Sequence, residues 1–407
     1  MTLNTLNDPR TEKWLLPDGV NELMPEDAWR VESLRRLIMD SSYRWGYELV
    51  MPPLIEYLDS LLTGTGETLD LQTIKFIDQH NGRSLGIRAD MTPQVARIDA
   101  HTLRSELPNR LFYTGSVLRA RTDGAGGSRT PLQFGAELFG HAGPESDAEI
   151  IQLMLDTIVL AGVPLPDVLL DVGHVGVFRA LMAHASLSQD LEEHVFQALL
   201  RGSGPEVNDL LTSAQTKPET RRQFRDLAAL SGESSAVLPE ARERLADAGP
   251  AVIAALDNLQ AVIDTVQQTH PQLNVHVDLA ELRGYRYHTG MLFALYDAQG
   301  SELARGGRYD AIGESFGRAR PATGFSGDLI KLALAYGPAE QGMFPAVQGI
   351  WVDLETSNLL TAEIQRLRKS GERVVVALQG SAMDATHCHC DRILRSCNDQ
   401  WIVEKLT

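Results

Sequence analysis

The run from Arg110 to Gly140, RLFYTGSVLRARTDGAGGSRTPLQFGAELFG, constrains the fold more than any other stretch of the chain. Two strand-like segments flank a loop, Thr122 to Ser128, whose three glycines sit poorly in either strand. Strand side chains alternate between faces. Leu132, Phe134, Ala136 and Leu138 therefore share one face, and Gln133, Gly135 and Glu137 the other. The first face belongs in a core. The second presents an amide and a carboxylate with a side-chain-free gap between them. Arg119 and Arg121 share a face of the outgoing segment, so a hairpin brings Arg119 beside Gln133 and Glu137. Such a face suits a small zwitterion, with a carboxylate for an ammonium, a guanidinium for a carboxylate and an amide for either. An edge hairpin with one solvated face explains the alternation equally well, and the remaining chain has to decide.

A length of 407 residues accommodates about two or three domains. The formal net charge of −17 disfavours a nucleic-acid partner, because phosphate binding needs a basic surface. No apolar run reaches membrane-spanning length, and the N-terminus carries no charged-then-apolar leader. The three cysteines lie late and form no disulfide framework. A cytoplasmic protein without a membrane partner is expected.

Residues 1–16 read as a loose leader. Pro25-Glu26-Asp27 opens a helix, with proline suited to the first turn and acids favourable to the dipole. Ala28, Val31, Leu34 and Ile38 keep helical spacing up to a stop before Gly46. A strand over Tyr47–Met51 ends at Pro52-Pro53. A hairpin over Ile74–Arg88 turns at Asn81-Gly82. In IRADMTPQVAR a helix starts near Pro93, so Asp90 or Thr92 is its expected N-cap. Asp147–Ala161 reads as an amphipathic helix and Val168–Val172 as a short strand. From Val177 to Gln268 the pattern is helical with no strand signal. Strands return at Leu273–Leu279 and Met291–Tyr296, separated by ELRGYRYHTG and followed by GGRYD at 306–310. The segment 321–337 starts glycine-rich and continues as an apolar helix; glycines there could cradle a phosphate, although such loops are commonplace. The tail reads as a small α/β unit, with strands at 350–354, 373–378 and 401–404 and a helix over 360–368. HCHCD at 387–391 has zinc-ligand residue types. Neighbouring strand residues face opposite ways, so at most two converge, and no metal or other cofactor is assigned.

Together these segments resemble the class II aminoacyl-tRNA synthetase fold over most of 17–337, and within it histidyl-tRNA synthetase. The resemblance is carried by the helix–strand–proline run ending at Pro52-Pro53, the arginine-bearing hairpin and the glycine-led helix near 324. It is carried more specifically by RGYRYHTG (283–290), similar to the family's Arg-Gly-Leu-Asp-Tyr-Tyr-Thr-Gly, and by GGRYD. An α+β fold is implied, with an antiparallel sheet, flanking helices, a helical insertion and a small C-terminal α/β domain. The implied divisions are 1–176 with 269–338, 177–268, and 346–407. By motif position, Asp90 and Thr92 match the residues that hold the ligand's ammonium. Gln133, Glu137 and Tyr309 match a pocket amide, carboxylate and tyrosine, and Arg119 and Arg283 match cations near the ligand's carboxylate. Tyr287 and His288 fall on the Tyr-Tyr pair that contacts the imidazole, His288 being a departure that can donate or accept according to its tautomer.

Other departures fall on the nucleotide motifs. Leu118-Arg119-Ala120-Arg121 replaces Phe-Arg-x-Glu, putting a cation where a glutamate places adenine. Asp328-Leu329-Ile330-Lys331 replaces Gly-Leu-Glu-Arg, and lysine lacks arginine's planar fork. The tail is short for an anticodon-binding domain, so amino-acid activation and tRNA charging both look lost. This pattern resembles the regulatory subunits of ATP phosphoribosyltransferase, paralogues of the synthetase. It implies a non-catalytic protein that assembles with the short catalytic subunit, is needed for its activity, and confers feedback inhibition by L-histidine. A two-fold dimer within a hetero-oligomer is implied as well. The alternatives are an active histidyl-tRNA synthetase with divergent ATP motifs and a stand-alone amino-acid-binding or adenylating paralogue.

Overall fold

A computed structural model describes residues 15–64, 67–122, 127–285, 287–336, 349–354, 358–397 and 400–406. Most of the expected leader, the centre of the glycine loop (123–126) and Arg286 lie outside the described residues. The chain divides into two compact units, residues 1–338 and 339–407.

In the first unit, the helix Pro25–Arg44 starts on its proline with Glu26 and Asp27 in the first turn, and it buries Val31, Leu34 and Ile38. β1 is only Glu48–Leu49, shorter than the expected 47–51. β2 (Ile55–Tyr57), β3 (Ile74–Ile77) and β4 (Ser84–Ile87) make a small antiparallel sheet in the order β2-β4-β3. The helix after IRAD runs Thr92–Arg97, and its N-cap is Met91 rather than Asp90 or Thr92. Asp90 still accepts the Thr92 N–H, 3.0 Å away.

The main sheet adds β5 (Asn109–Ser116), β6 (Leu132–Phe139), β7 (Val168–His174), β8 (Ser231–Glu233), β9 (Asn274–Asp278), β10 (Met291–Asp297), β11 (Glu302–Arg308) and β12 (Ala322–Asp328). Its order is β1-β5-β6-β12-β11-β10-β7-β9-β8, antiparallel except where β1 meets β5 and β7 meets β9. β6 is thus interior, while β5 is covered only at Leu111 and Phe112 by the two-residue edge strand β1. Two sequence expectations fail here. The 321–328 segment is a strand, and the helix begins only at Leu329, capped by Asp328 through the Ile330 N–H. Its glycines are therefore sheet positions, not a phosphate loop. The helical stretch after β7 also contains the short strand β8, whose sequence Ser-Gly-Glu offers no apolar alternation to detect.

The two faces of this sheet differ. Phe112, Ala136, Phe325 and Phe293 point to one face, where the helices Pro25–Arg44, Pro144–Leu160 and Pro250–Thr269 cover them to form the main core. The opposite face carries a smaller cluster, Met91, Val95, Leu111, Tyr113 and Tyr309, beside an open cleft. Arg308 of the GGRYD run joins the layers. Only 6% exposed, it bonds Asp147 Oδ2 at 3.1 Å, Ser146 Oγ at 2.7 Å, and the carbonyls of His141 and Gly143. The arginine of that signature is therefore an anchor that sets where Tyr309 begins.

In the second unit, β13 (Ile350–Val352), β14 (Val374–Val376), β15 (Arg392–Cys397) and β16 (Gln400–Lys405) form a sheet ordered β14-β13-β15-β16, with the helix Asn358–Lys369 packed against it. β15 had no counterpart in the sequence reading. The HCHCD run is a turn, not a strand: Cys388 and Cys390 pack with Trp351 and Ile393, and His387 Nδ1 meets Asp384 at 2.8 Å. No helix among the described residues is long and apolar enough to cross a membrane.

Asp147 is fully buried, so removing its partner leaves an unpaired interior carboxylate. Arg308→Met is expected to lower unfolding free energy by about 3–5 kcal/mol, measured by urea denaturation.

Candidate functional site

The cleft on the open face has a volume of about 830 Å³ and is lined by Asp90, Thr92, Arg119, Glu137, Arg283, Tyr287, His288 and Tyr309 among others. Eight of the nine residues picked from the sequence thus meet in one cavity. Gln133 stands behind it. Its Nε2 donates to Asp90 Oδ1 at 2.8 Å and its Oε1 accepts the Met91 N–H at 2.9 Å. Each end of the amide has one partner within the protein, and through Nε2 it holds Asp90.

Strand register places the rest. Glu137 is opposed by Leu111 on β5 and by Gly324 on β12. A Cβ on Gly324 would lie 1.5 Å from Glu137 Oε2, so only glycine leaves room for the carboxyl group there. Gly135, the gap noticed in the sequence, is filled from across the strand: Tyr113 opposes it, and a Cβ would meet the Tyr113 hydroxyl at 2.5 Å. That hydroxyl donates to Glu137 Oε1 at 2.9 Å, and the Tyr309 hydroxyl donates to Oε2. Because Tyr113 gives its proton to Glu137, the Thr92 hydroxyl, 3.1 Å away, donates to Tyr113. The Thr92–Tyr113–Glu137 relay was not anticipated. The available signal was Tyr113 opposite a glycine in the hairpin.

Glu137 is 1% exposed. Burial pushes its pKa up to about 8, against the phenol and Thr92 hydrogen bonds and with a smaller push from Asp90. Burial likewise raises the phenols of Tyr113, Tyr287 and Tyr309 well above their ordinary range, so they remain donors. Tyr287 stacks on Tyr309 with ring centres 5.0 Å apart, and its buried hydroxyl has no hydrogen-bond partner among the described residues. His288 Nδ1 lies 3.1 Å from the Gly284 carbonyl oxygen, and burial holds the ring neutral, with its pKa lowered to about 4.

The cations are placed less simply. Arg119 pairs in a β-bridge with Thr73, beyond the end of β5, and its charge acts on Asp328. Arg283 is exposed at the cleft wall and bound to Glu281 at 2.8 Å and to the Tyr296 hydroxyl at 2.8 Å. The two departures from nucleotide motifs point elsewhere. Arg121 is exposed, and Lys331 Nζ donates to the Glu302 carbonyl at 2.6 Å. The arrangement can bind a small amphoteric molecule with one acidic and one uncharged hydrogen-bonding end. Among the described residues no group of three or more His, Cys, Asp or Glu is placed to hold a metal.

A family model described as histidyl-tRNA synthetase matches residues 19–332. One described as the C-terminal domain of ATP phosphoribosyltransferase subunit HisZ matches 347–404. Two ATP phosphoribosyltransferase regulatory subunits illustrate the curated relatives. That of Thioalkalivibrio sulfidiphilus is 50% identical over 97% of this chain and 99% of its own. That of Pseudomonas entomophila is 49% identical with the same coverage. A crystal structure of an ATP phosphoribosyltransferase regulatory subunit/histidyl-tRNA synthetase from Bacillus halodurans superposes with a TM-score of 0.80 at 25% identity, covering 93% of this chain and 97% of that one. Histidyl-tRNA synthetase from Nostoc sp. PCC 7120 superposes at 0.72 with 17% identity, covering 94% and 91%, which bears on fold alone. The expected class II synthetase-like α+β fold is borne out.

The raised pKa of Glu137 makes stability depend on pH in one direction. The folded state binds the proton more tightly than the unfolded chain between about 4.5 and about 8. Its contribution to stability is therefore fully present below the lower value and lost as pH rises through the upper one. Urea denaturation from mildly acidic to alkaline pH should show wild type losing stability relative to Glu137→Gln across this window.

Proposed function

We propose a histidine-sensing role for this chain, which belongs to the family of ATP phosphoribosyltransferase regulatory subunits. In this reading it is a non-catalytic, cytosolic subunit that assembles with the short catalytic chain, is needed for its activity, and carries feedback inhibition by histidine. The supporting observation is the buried carboxyl group of Glu137, held by Tyr113 and Tyr309 beside Asp90 and an unpartnered Tyr287 hydroxyl. Buried polar groups of this kind need hydrogen-bond partners, and a small ligand with an ammonium and a polar ring would supply them. Asp90 and Thr92 would face the ammonium, Arg119 and Arg283 the carboxylate, and Glu137, Tyr287, His288 and Tyr309 the ring.

The same reading assigns residues 1–176 and 269–338 to the ligand-binding core, 177–268 to an insertion, and 346–407 to a separate C-terminal domain. It pairs two chains about a two-fold axis. Loss of the synthetase reaction is supported by Arg121 and Lys331, neither of which lines the cleft. Inhibition requires that histidine bind the inhibited assembly more tightly than the active one, and a difference of about 5–150-fold is typical of such coupling.

Reconstitution with a short catalytic subunit tests this. Glu137→Ala or Arg119→Ala should shift the inhibiting histidine concentration upward by tenfold or more (about 1.4 kcal/mol) while co-elution of the subunits persists. Unchanged inhibition in both variants would remove the pocket from the reading. Histidine-dependent ATP–pyrophosphate exchange should be absent, and turnover in that assay would favour the synthetase.

A further inference from the structure

We propose that the site holds its ligand's ring as an imidazolium, with Glu137 as carboxylate on one side and His288 Nε2 as acceptor on the other. This rests on the histidine-sensing reading and specifies the ligand's protonation state, which that reading leaves open.

The floor of the ring slot is a pair of glycines. Gly307 of β11 and Gly324 of β12 are directly opposed. Glu137 Oε2 leans over Gly324, and the His288 ring lies over Gly307, with Cδ2 and Nε2 2.6 and 2.9 Å from where a Cβ would be. Cβ positions in an opposed pair stand about 4.5–5.5 Å apart. The carboxyl oxygen and the ring nitrogen therefore both stand over this one opposed glycine pair, which lines the cleft with them.

His288 has no choice of role. The Gly284 carbonyl can only accept, so Nδ1 carries the hydrogen. Burial keeps the ring neutral, and the charges of Arg305 and Arg179 act in the same direction. Nε2 is then a lone pair. Among the described residues, the groups that act most on Glu137 are Asp90, Thr92, Tyr113 and Tyr309, none of them a cation, and its charge acts in turn on Tyr287. Both carboxyl oxygens already receive phenol protons. Two such donors suit a carboxylate, and a cationic ring would supply a counter-charge that none of these groups provides.

Free histidine has a mostly neutral ring near pH 7, with one N–H and one bare nitrogen. In the slot, the Glu137 O–H bond breaks and an N–H bond forms on the bare nitrogen. The ring becomes a cation, Glu137 becomes an anion, and no proton passes to solvent. The phenol bonds to Glu137 and both ring N–H bonds then become charge-assisted, about twice as strong as neutral ones. A neutral ring would leave Tyr113 and Tyr309 donating to a carboxylic acid, a weaker acceptor.

Ring-¹⁵N-labelled L-histidine bound to the full-length wild-type protein at about pH 7 tests this by NMR. Two protonated ring nitrogens are expected, together with a binding enthalpy independent of buffer ionisation. Glu137→Gln should return the bound ring to the neutral form. Histidine methylated on either ring nitrogen, and His288→Phe with histidine, should each bind at least about tenfold more weakly. A neutral ring on the wild type overturns the proposal with the sensing role intact. Undiminished binding to His288→Phe, with ring shifts unchanged, overturns the role of His288. Failure of histidine to bind the wild type overturns the sensing reading itself. The wild-type spectrum requires no variant, so a misfolded substitution does not shield the proposal.

Discussion

A carboxyl group buried in the middle of a sheet dictates the rest of this cleft. Glu137 lies on β6, between β5 and β12, with only 1% of its surface exposed. A group so placed has to be satisfied by the protein. Tyr113 comes from the partner strand, Tyr309 from the end of β11, and Thr92 from the first turn of a helix to brace Tyr113. Gly135 and Gly324 are required because the phenol and the carboxyl group lie where side chains would otherwise be. Residues scattered over more than two hundred positions are thereby fixed by one burial.

The other half of the cleft is arranged differently. Among the described residues that line it, two of the three arginines are engaged by the chain's own acids, Arg283 by Glu281 and Arg305 by Glu302. A polyphosphate needs such charges to itself, and here these two would first have to be released from a carboxylate. That balance accords with the proposed loss of nucleotide chemistry and with a protein that keeps a pocket while giving up a reaction.

Much of this was legible in the chain. Alternation in 132–138 separates a core face from a polar one, and it does so whatever the neighbouring strands are. The GGRYD and RGYRYHTG runs identify the pocket's second wall. Three features were not legible. The 322–328 strand was hidden because its glycines suit a loop by composition, whereas close approach of Glu137 and Phe134 is what selects them. Gln133 was read as a ligand contact because an amide offers no sign of whether its partners lie within the protein. Strand β8 is too short and polar to show a period, and it exists through pairing with β9.

The sequence by itself determined the alternating hairpin, the order of helices and strands, the residue types of the pocket, and the family. Those are local or motif-level properties, set by periodicity and side-chain chemistry. Only the tertiary structure decided that β6 is interior to the sheet, that Tyr113 fills the Gly135 gap, and that Arg308 anchors while Tyr309 donates to Glu137. It also fixed the tautomer of His288 through the Gly284 carbonyl. Each of these depends on which strand lies alongside which. Burial and hydrogen-bond partners are properties of neighbours distant in sequence, and no spacing along the chain records them.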